Sequence, residues 1–204
     1  MTKKYELVLD DTISLWGWKL FRIRALISFG SVEVGDLGGY IQKEENLSHD
    51  GDAWVSGNAK VSGNAKVSGN AEVYGNAKVW GNAKVSGDAE VWGNAKVSGD
   101  AEVWGNAEVY GNAEVWGNAK VWGNAKVSGD AKVSELGDII VFKNHWSSGR
   151  HFTYTKSNKM WKAGCFYGTG QKLIEKAYRD SEKSGNHYKA YVDFVESLEK
   201  LDDQ

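Results

Sequence analysis

Residues 51–68 read GDAWVSGNAKVSGNAKVS, and the same six-residue phrase runs fourteen times without insertion from Gly51 to Ser134: Gly, Asn or Asp, Ala, a variable residue, Val, a second variable residue. Ala and Val stand two apart in each hexad, as at Ala53 and Val55 or Ala59 and Val61. Both therefore point to one side of an extended chain, and the two variable residues point to the other. A helix does not fit. Six residues make about 1.7 helical turns, which would scatter the valines around every face, and one glycine per hexad would cost about 1 kcal/mol each. A short strand that turns a corner at each Gly-Asn or Gly-Asp does fit, because these residue types tolerate the positive φ of a tight turn.

One such strand has too little apolar face to fold alone, so successive coils must stack and share a core. Each Val is followed four positions later by the Ala of the next hexad, from Val55 and Ala59 through Val127 and Ala131. This pattern resembles the hexapeptide-repeat proteins. The resemblance covers 84 of 204 residues and implies a mainly β fold, the left-handed parallel β-helix, a triangular solenoid with three hexads per coil.

The expected organisation is a β-rich N-terminal cap over residues 1–50, the β-helix over 51–134 and a small α+β C-terminal module over 135–204. In the cap, YELVL is expected to end in a turn near Asp10 and Asp11, KLFRIRAL alternates as a strand, and GDLGGYI leads into the solenoid. In the C-terminal module, DIIVF and HFTYT read as strands joined by a hairpin around Ser147 to Gly149. Thr169 reads as the N-cap of a helix carrying Leu173, Ile174, Ala177 and Tyr178 on one face. A second helix carries Tyr188, Tyr191, Val192, Val195 and Leu198, with Ser184-Gly185-Asn186 separating the two. Trp161 and Phe166 are expected to bury against the solenoid end.

The ends carry a further resemblance. The head LFRIRALISFGSVEVGDLGGYIQKEENLSHDGDAWV and the tail YTKSNKMWKAGCFYGTGQKLIEKAYRDS are similar to uncharacterised phage and prophage proteins, in which such ends flank variable numbers of hexads. That implies an accessory viral gene product and assigns no catalytic residue.

Composition narrows the functional classes. A net charge of −2, with Lys and Glu interspersed, argues against general nucleic-acid binding, and one cysteine rules out a disulfide framework. The first eleven residues, MTKKYELVLDD, lack the apolar run of a signal peptide, and no stretch is apolar enough to span a bilayer. The expectation is a cytoplasmic protein, inside a bacterial host, with no membrane partner.

With eighteen residues per coil, the variable positions sort into faces. Face one carries Trp54, Glu72, Glu90, Glu108 and Lys126 in its first outward position and Ser56, Tyr74, Trp92, Tyr110 and Ser128 in its second. Face two carries Lys60, Lys78, Lys96, Glu114 and Lys132 beside Ser62, Trp80, Ser98, Trp116 and Ser134. Face three carries Lys66, Lys84, Glu102 and Lys120 beside Ser68, Ser86, Trp104 and Trp122. Stacked carboxylates about 5 Å apart repel by up to ~1 kcal/mol per pair even in water, so the Glu72, Glu90, Glu108 column does not serve stability. A column of rings at Tyr74, Trp92 and Tyr110 offers an apolar stripe of the kind that marks contact sites, able to receive a protein partner, a sugar chain or the matching face of another copy. It also suits a purely structural stack, or a contact between copies, with Trp104 and Trp122 as a second aromatic column.

The constellations of chemistry are sparse. Acyltransferases and carbonic anhydrases of the hexapeptide-repeat class use His for general base or zinc, and Gly51 to Ser134 contains none. Of the four His, His49, His145, His151 and His187, the pair His145 and His151 flank one hairpin and could approach each other. Cys165 reads as a buried small hydrophobe. GCFYGTGQK echoes a phosphate-cradling loop without its full spacing, and Lys156, Lys159, Lys162, Trp161 and Tyr154 mix basic and aromatic residues as nucleic-acid surfaces do. No catalytic, cofactor or metal residue is assigned. The expected function is non-enzymatic recognition of a host or viral macromolecule, most readily a protein, through the aromatic and acidic face or the C-terminal module, that inhibits a host defence component. The alternatives are a self-assembling structural protein whose copies meet through the Trp80, Trp116 and Trp104, Trp122 faces and, behind it, an acyltransferase working from the caps.

Overall fold

The computed structural model describes residues 3–202, and the chain divides into two compact units, Met1–Asp138 and Ile139–Gln204. In the first unit, β1 (Tyr5–Leu15), β2 (Trp18–Ala25) and β3 (Leu37–Ile41) precede a parallel β-solenoid. Among the described residues each hexad contributes one two-residue strand, β4 (Trp54–Val55) through β17 (Lys132–Val133). These strands build three parallel sheets, and every strand pairs with those eighteen residues away, as Glu90 does with Glu72 and Glu108. Three hexads therefore make one coil.

The physical cause is local. Each corner glycine has positive φ, +69° at Gly87 for example, and at most corners the N–H of the following Ala donates to the carbonyl three residues back, as from Ala59 to Ser56 at 3.2 Å. Positive φ at the first central residue is the type II′ pattern. The corner also sits tight against the next coil: a Cβ on Gly87 would lie 2.9 Å from the backbone nitrogen of Gly105. Sequence reasoning gave Asn and Asp a share of the left-handed conformation, but among the described residues the only non-glycine positive φ values are at Trp16 and Lys159. The corner amides do a different task. Asn58 donates to Asn76, Asn82 to Asp100 and Asn112 to Asp130, each to the residue one coil on.

Inside, every Ala and Val of the hexads from Ala53 to Val133 is buried, at most 1% exposed. N–H groups of one coil donate to carbonyls of the next, as Lys78 to Ala95 at 2.9 Å and Trp80 to Val97 at 3.0 Å. The carbonyls of the first coil thus face a missing predecessor, and an unpaired row of that kind templates aggregation. The head supplies the partners. The Lys4 ammonium donates to Gly51 O and Ala53 O; Tyr40 and Gln42 N–H groups reach Ala59 O and Val61 O; the Asn46 amide donates to Gly63 O and Ala65 O; Ser48 N–H reaches Val67 O. Lys4 is 1% exposed, and that burial lowers its pKa to about 8, with Asp52 and Asp50 pulling the other way.

The cap is therefore continuous with the solenoid: β3 pairs in parallel with Lys60–Val61 and acts as a rung. It can do so because Gly38 and Gly39 lie against the Val55 rung, where a Cβ on Gly38 would sit 2.6 Å from Val55 O. The expected turn at Asp10 and Asp11 is absent. β1 runs through it with a register shift between Val8 and Thr12, and the chain reverses at Trp16-Gly17.

In the second unit, β18 (Ile139–Lys143), β19 (His151–Thr155), β20 (Met160–Ala163) and β21 (Phe166–Thr169) form an antiparallel sheet in that order, followed by α1 (Gly170–Asp180) and α2 (Glu182–Asp202). The β18–β19 hairpin stands where the sequence put it, and Thr169 Oγ1 accepts from Lys172 N–H as the N-cap of α1. The helix break falls at Ser181, and Ser184, Gly185 and Asn186 lie inside α2. Trp161 is buried in this unit's own core with Phe152, Tyr154, Leu173, Val192 and Val195, and Phe166 packs beside it. The burial expected against the solenoid end is instead a local sheet-on-helix core.

Asn46→Ala should leave the buried Ala65 carbonyl and the half-buried Gly63 carbonyl without this donor and cost about 1–3 kcal/mol of stability. Urea unfolding checks the size. Hydrogen exchange of the Lys66–Val67 rung, with the distant Lys120–Val121 rung unaffected, checks the place.

Candidate functional site

The register puts Glu72, Glu90 and Glu108 one above another on face one, between Trp54 below and Lys126 above. Beside them the rings of Tyr74, Trp92 and Tyr110 stack, with centroids 5.6 and 4.3 Å apart and planes within 1° of parallel. Strand spacing of about 4.8 Å and flat ring stacking nearly coincide, which is why one ring per coil closes into a continuous pile. All three rings are half-buried, because each covers its neighbours' faces. The stripe offered to solvent consists of ring edges and the hydroxyls that border them.

The carboxylates are not equivalent. Tyr74 Oη donates to Glu90 Oε2 at 2.9 Å, and Lys126 pairs with Glu108. Glu72 is exposed. Burial raises the Tyr74 pKa above the ordinary tyrosine value, and the hydrogen bond to Glu90 and the charges of Glu72 and Glu108 add to it. The ladder is thus relieved at its middle by a phenol and at its end by an ammonium, while keeping a net negative rim. Trp54 leaves this surface: it is buried under the head, with Phe29 at 5.4 Å and Tyr5 at 6.3 Å between ring centroids.

On face three, Trp104 and Trp122 stack at 5.5 Å and 11°, and Trp122 is the repeat aromatic most open to solvent at 45%. Along the columns Lys84 pairs with Glu102 at 2.9 Å on face three and Lys96 with Glu114 at 2.7 Å on face two. Face two stays net basic, with four Lys against one Glu, and burial together with the Lys78 charge lowers the Lys60 pKa.

The remaining candidates move. Cys165 is exposed at the tip of the β20–β21 hairpin, in a two-residue turn with Gly164 at φ +58°, and is not a buried hydrophobe. The GCFYGTGQK stretch is that turn followed by strand and N-cap, so it forms no phosphate loop. Tyr154 and Trp161 are core residues and Lys159 pairs with Glu199, which takes both rings out of the proposed nucleic-acid cluster. His151 pairs with Lys143 across the hairpin, whereas His145 stands 5.5 Å from His187, which stacks on Trp146 at 4.6 Å. His49 packs on the Tyr5 ring at 4.4 Å and accepts from Lys4 N–H, a cap residue. Among the described residues no group of three or more His, Cys, Asp or Glu could hold a metal, and no helix is long and apolar enough to cross a membrane. The chain matches no known protein family and no curated protein.

Because the folded-state pKa of Tyr74 is raised, its contribution to stability is full below the ordinary tyrosine pKa of about 10 and is lost as pH rises beyond it. Tyr74→Phe should cost about 0.5–1.5 kcal/mol at neutral pH and lessen the loss of stability above pH 10, to which the buried Tyr5 and Tyr154, also raised, still contribute. Thermal melts at pH values on either side of that range read both effects.

Proposed function

We propose that this chain is a hexapeptide-repeat β-helix protein of phage or prophage origin that recognises a protein partner without catalysing a reaction. It acts in the cytoplasm of the bacterial host, and its binding blocks a host defence component. The observation that supports this reading is the pairing of two columns on face one: coplanar rings at Tyr74, Trp92 and Tyr110, and in-register carboxylates at Glu72, Glu90 and Glu108. A rigid comb of acidic groups at a fixed spacing resembles the charge pattern of a polyanion, and a basic protein surface is its natural complement. Adjacent aromatics supply the apolar centre that most interfaces need. The head and tail resemblance to phage proteins points to the host cell as the source of the partner.

The C-terminal module is the second place where a partner could dock, with Phe194 and Tyr167 exposed on it. Self-assembly is the competing reading, favoured by the open Trp122 stacked on Trp104; a monomer that stays a monomer across concentrations in sedimentation removes it. Acyl transfer has the weakest support, since Gly51 to Ser134 contains no His to serve as base.

Affinity capture from host cells should recover a defined protein with the wild-type chain. Trp92→Ala with Tyr110→Ala should lose it by tenfold or more in a follow-up titration with the purified partner. Capture unchanged by the double variant excludes face one.

A further inference from the structure

Face two carries a different aromatic arrangement from the other faces. Its second outward position reads Ser62, Trp80, Ser98, Trp116 in successive coils, linked by N–H donation from Ser62 to Val79, Trp80 to Val97 and Ser98 to Val115. On faces one and three the rings are one coil apart and close on each other at 4.3–5.6 Å. Trp80 and Trp116 are two coils apart, about 9.6 Å along the sheet, and Ser98 is the only side chain of that column between them. A hollow of about 320 Å³ occupies this place, lined by Trp16, Trp80, Trp116, Ser98, Lys96 and Glu114.

The third indole is there at a cost. Trp16 is the first residue of the two-residue β1–β2 turn, with φ +50° followed by Gly17 at +81°. Turns with two positive φ values favour Asn, Asp or Gly, and a bulky L-residue there is disfavoured by about 1–2 kcal/mol. Burial does not compensate, since Trp16 remains 58% exposed. Its ring meets Trp80 edge-on at 5.0 Å, and the Lys78 ammonium lies 5.7 Å from its centroid. An exposed, strained indole held over a slot has the character of a binding group.

We propose that this slot binds a pyranose ring of an oligosaccharide. Width decides the ligand class. A flat aromatic group sandwiched between two rings fits a separation of about 7 Å, twice the usual contact distance of 3.5 Å. The two-coil spacing is wider, and suits a puckered ring that presents C–H groups to an indole on each side. The floor agrees with this: Ser98 offers a hydroxyl, and the Lys96–Glu114 ion pair at 2.7 Å offers a donor beside an acceptor, the pattern that neighbouring sugar hydroxyls satisfy. That pair is neutral as a unit and Lys78, which also lines the hollow, adds one positive charge, so a uronic acid carboxylate is admitted beside the hydroxyls. The volume lies at the small end of ligand pockets, enough for one ring and not for a large cofactor. The inference is independent of the protein-binding reading of face one.

The test is tryptophan fluorescence titration of the full chain with maltohexaose, cellohexaose, chitohexaose and polygalacturonate, and with adenosine as the flat competitor. Saturable binding of at least one saccharide is expected. Ser98→Trp should abolish it by filling the slot with a third ring, an arrangement the fold already accepts at Tyr74, Trp92 and Tyr110, so the variant should melt no lower than wild type. Trp116→Ala should weaken binding about tenfold or more, and Trp122→Ala on face three, which leaves Trp104 without a stacked ring and opens no gap between rings, should leave it unchanged. No saturable binding of any of the four saccharides overturns the proposal. Binding that survives Ser98→Trp, or a preference for adenosine, overturns it as well.

Discussion

Everything in the solenoid depends on the corner glycine. Positive φ at this one residue turns the chain through a tight corner every six residues, and three such corners close a coil of eighteen. The closure brings Val over Val and Ala over Ala along each sheet, so that the whole apolar content of the repeat is removed from water with two small residue types. Any residue with a Cβ at the corner would be strained by the backbone conformation, and at corners such as Gly69, Gly81, Gly87 and Gly99 it would also come within 2.9 Å of the glycine of the next coil. Asn and Asp could have taken the left-handed conformation in isolation. They do not, because the close approach falls on the first corner position, and the second is free to hold a side chain whose amide bonds the next coil.

A stack of identical coils leaves unsatisfied carbonyls at one end. The head answers this with groups that imitate a coil: strand β3 on one face, and on the other two a lysine and an asparagine whose nitrogens reach two carbonyls each. Burying the Lys4 ammonium carries a desolvation penalty, visible in its lowered pKa, and the two carbonyls with the ring of Phe29 at 4.7 Å offset it. Trp54 belongs to the same solution. It occupies an outward position of the first coil, where a solvent-facing residue would suffice, and is large because Phe29 and Tyr5 close over it.

How far the sequence revealed this follows from range. The solenoid, its coil length and the membership of each column were legible because they repeat every six residues and depend only on alternation. Cys165 and Trp161 were not, since their environments depend on β20 and β21, two strands whose short sequences, MWKA and FYGT, lack alternation long enough to recognise. The turn at Trp16-Gly17 was missed because Asp10 and Asp11 are better turn formers by type, and the strand absorbs them with a register shift. Ser184-Gly185-Asn186 looked like a break for the same reason, yet Gly185 is required within α2 where a Cβ would lie 2.2 Å from the Tyr178 ring.

The faces show how one scaffold yields different surfaces without altering its backbone. Spacing along a column is quantised in units of one coil. Aromatics in consecutive coils satisfy each other and present edges, which makes face one a stiff, bordered comb. Aromatics in alternate coils cannot touch, and a hollow lies beside them. The two arrangements differ by a single residue, Trp92 between Tyr74 and Tyr110 against Ser98 between Trp80 and Trp116. Since the core beneath is Ala and Val in both cases, the choice has little consequence for folding. The variable positions are therefore where selection for binding can act with the least effect on stability, and the departures from a plain Lys-and-Ser hexad are concentrated there.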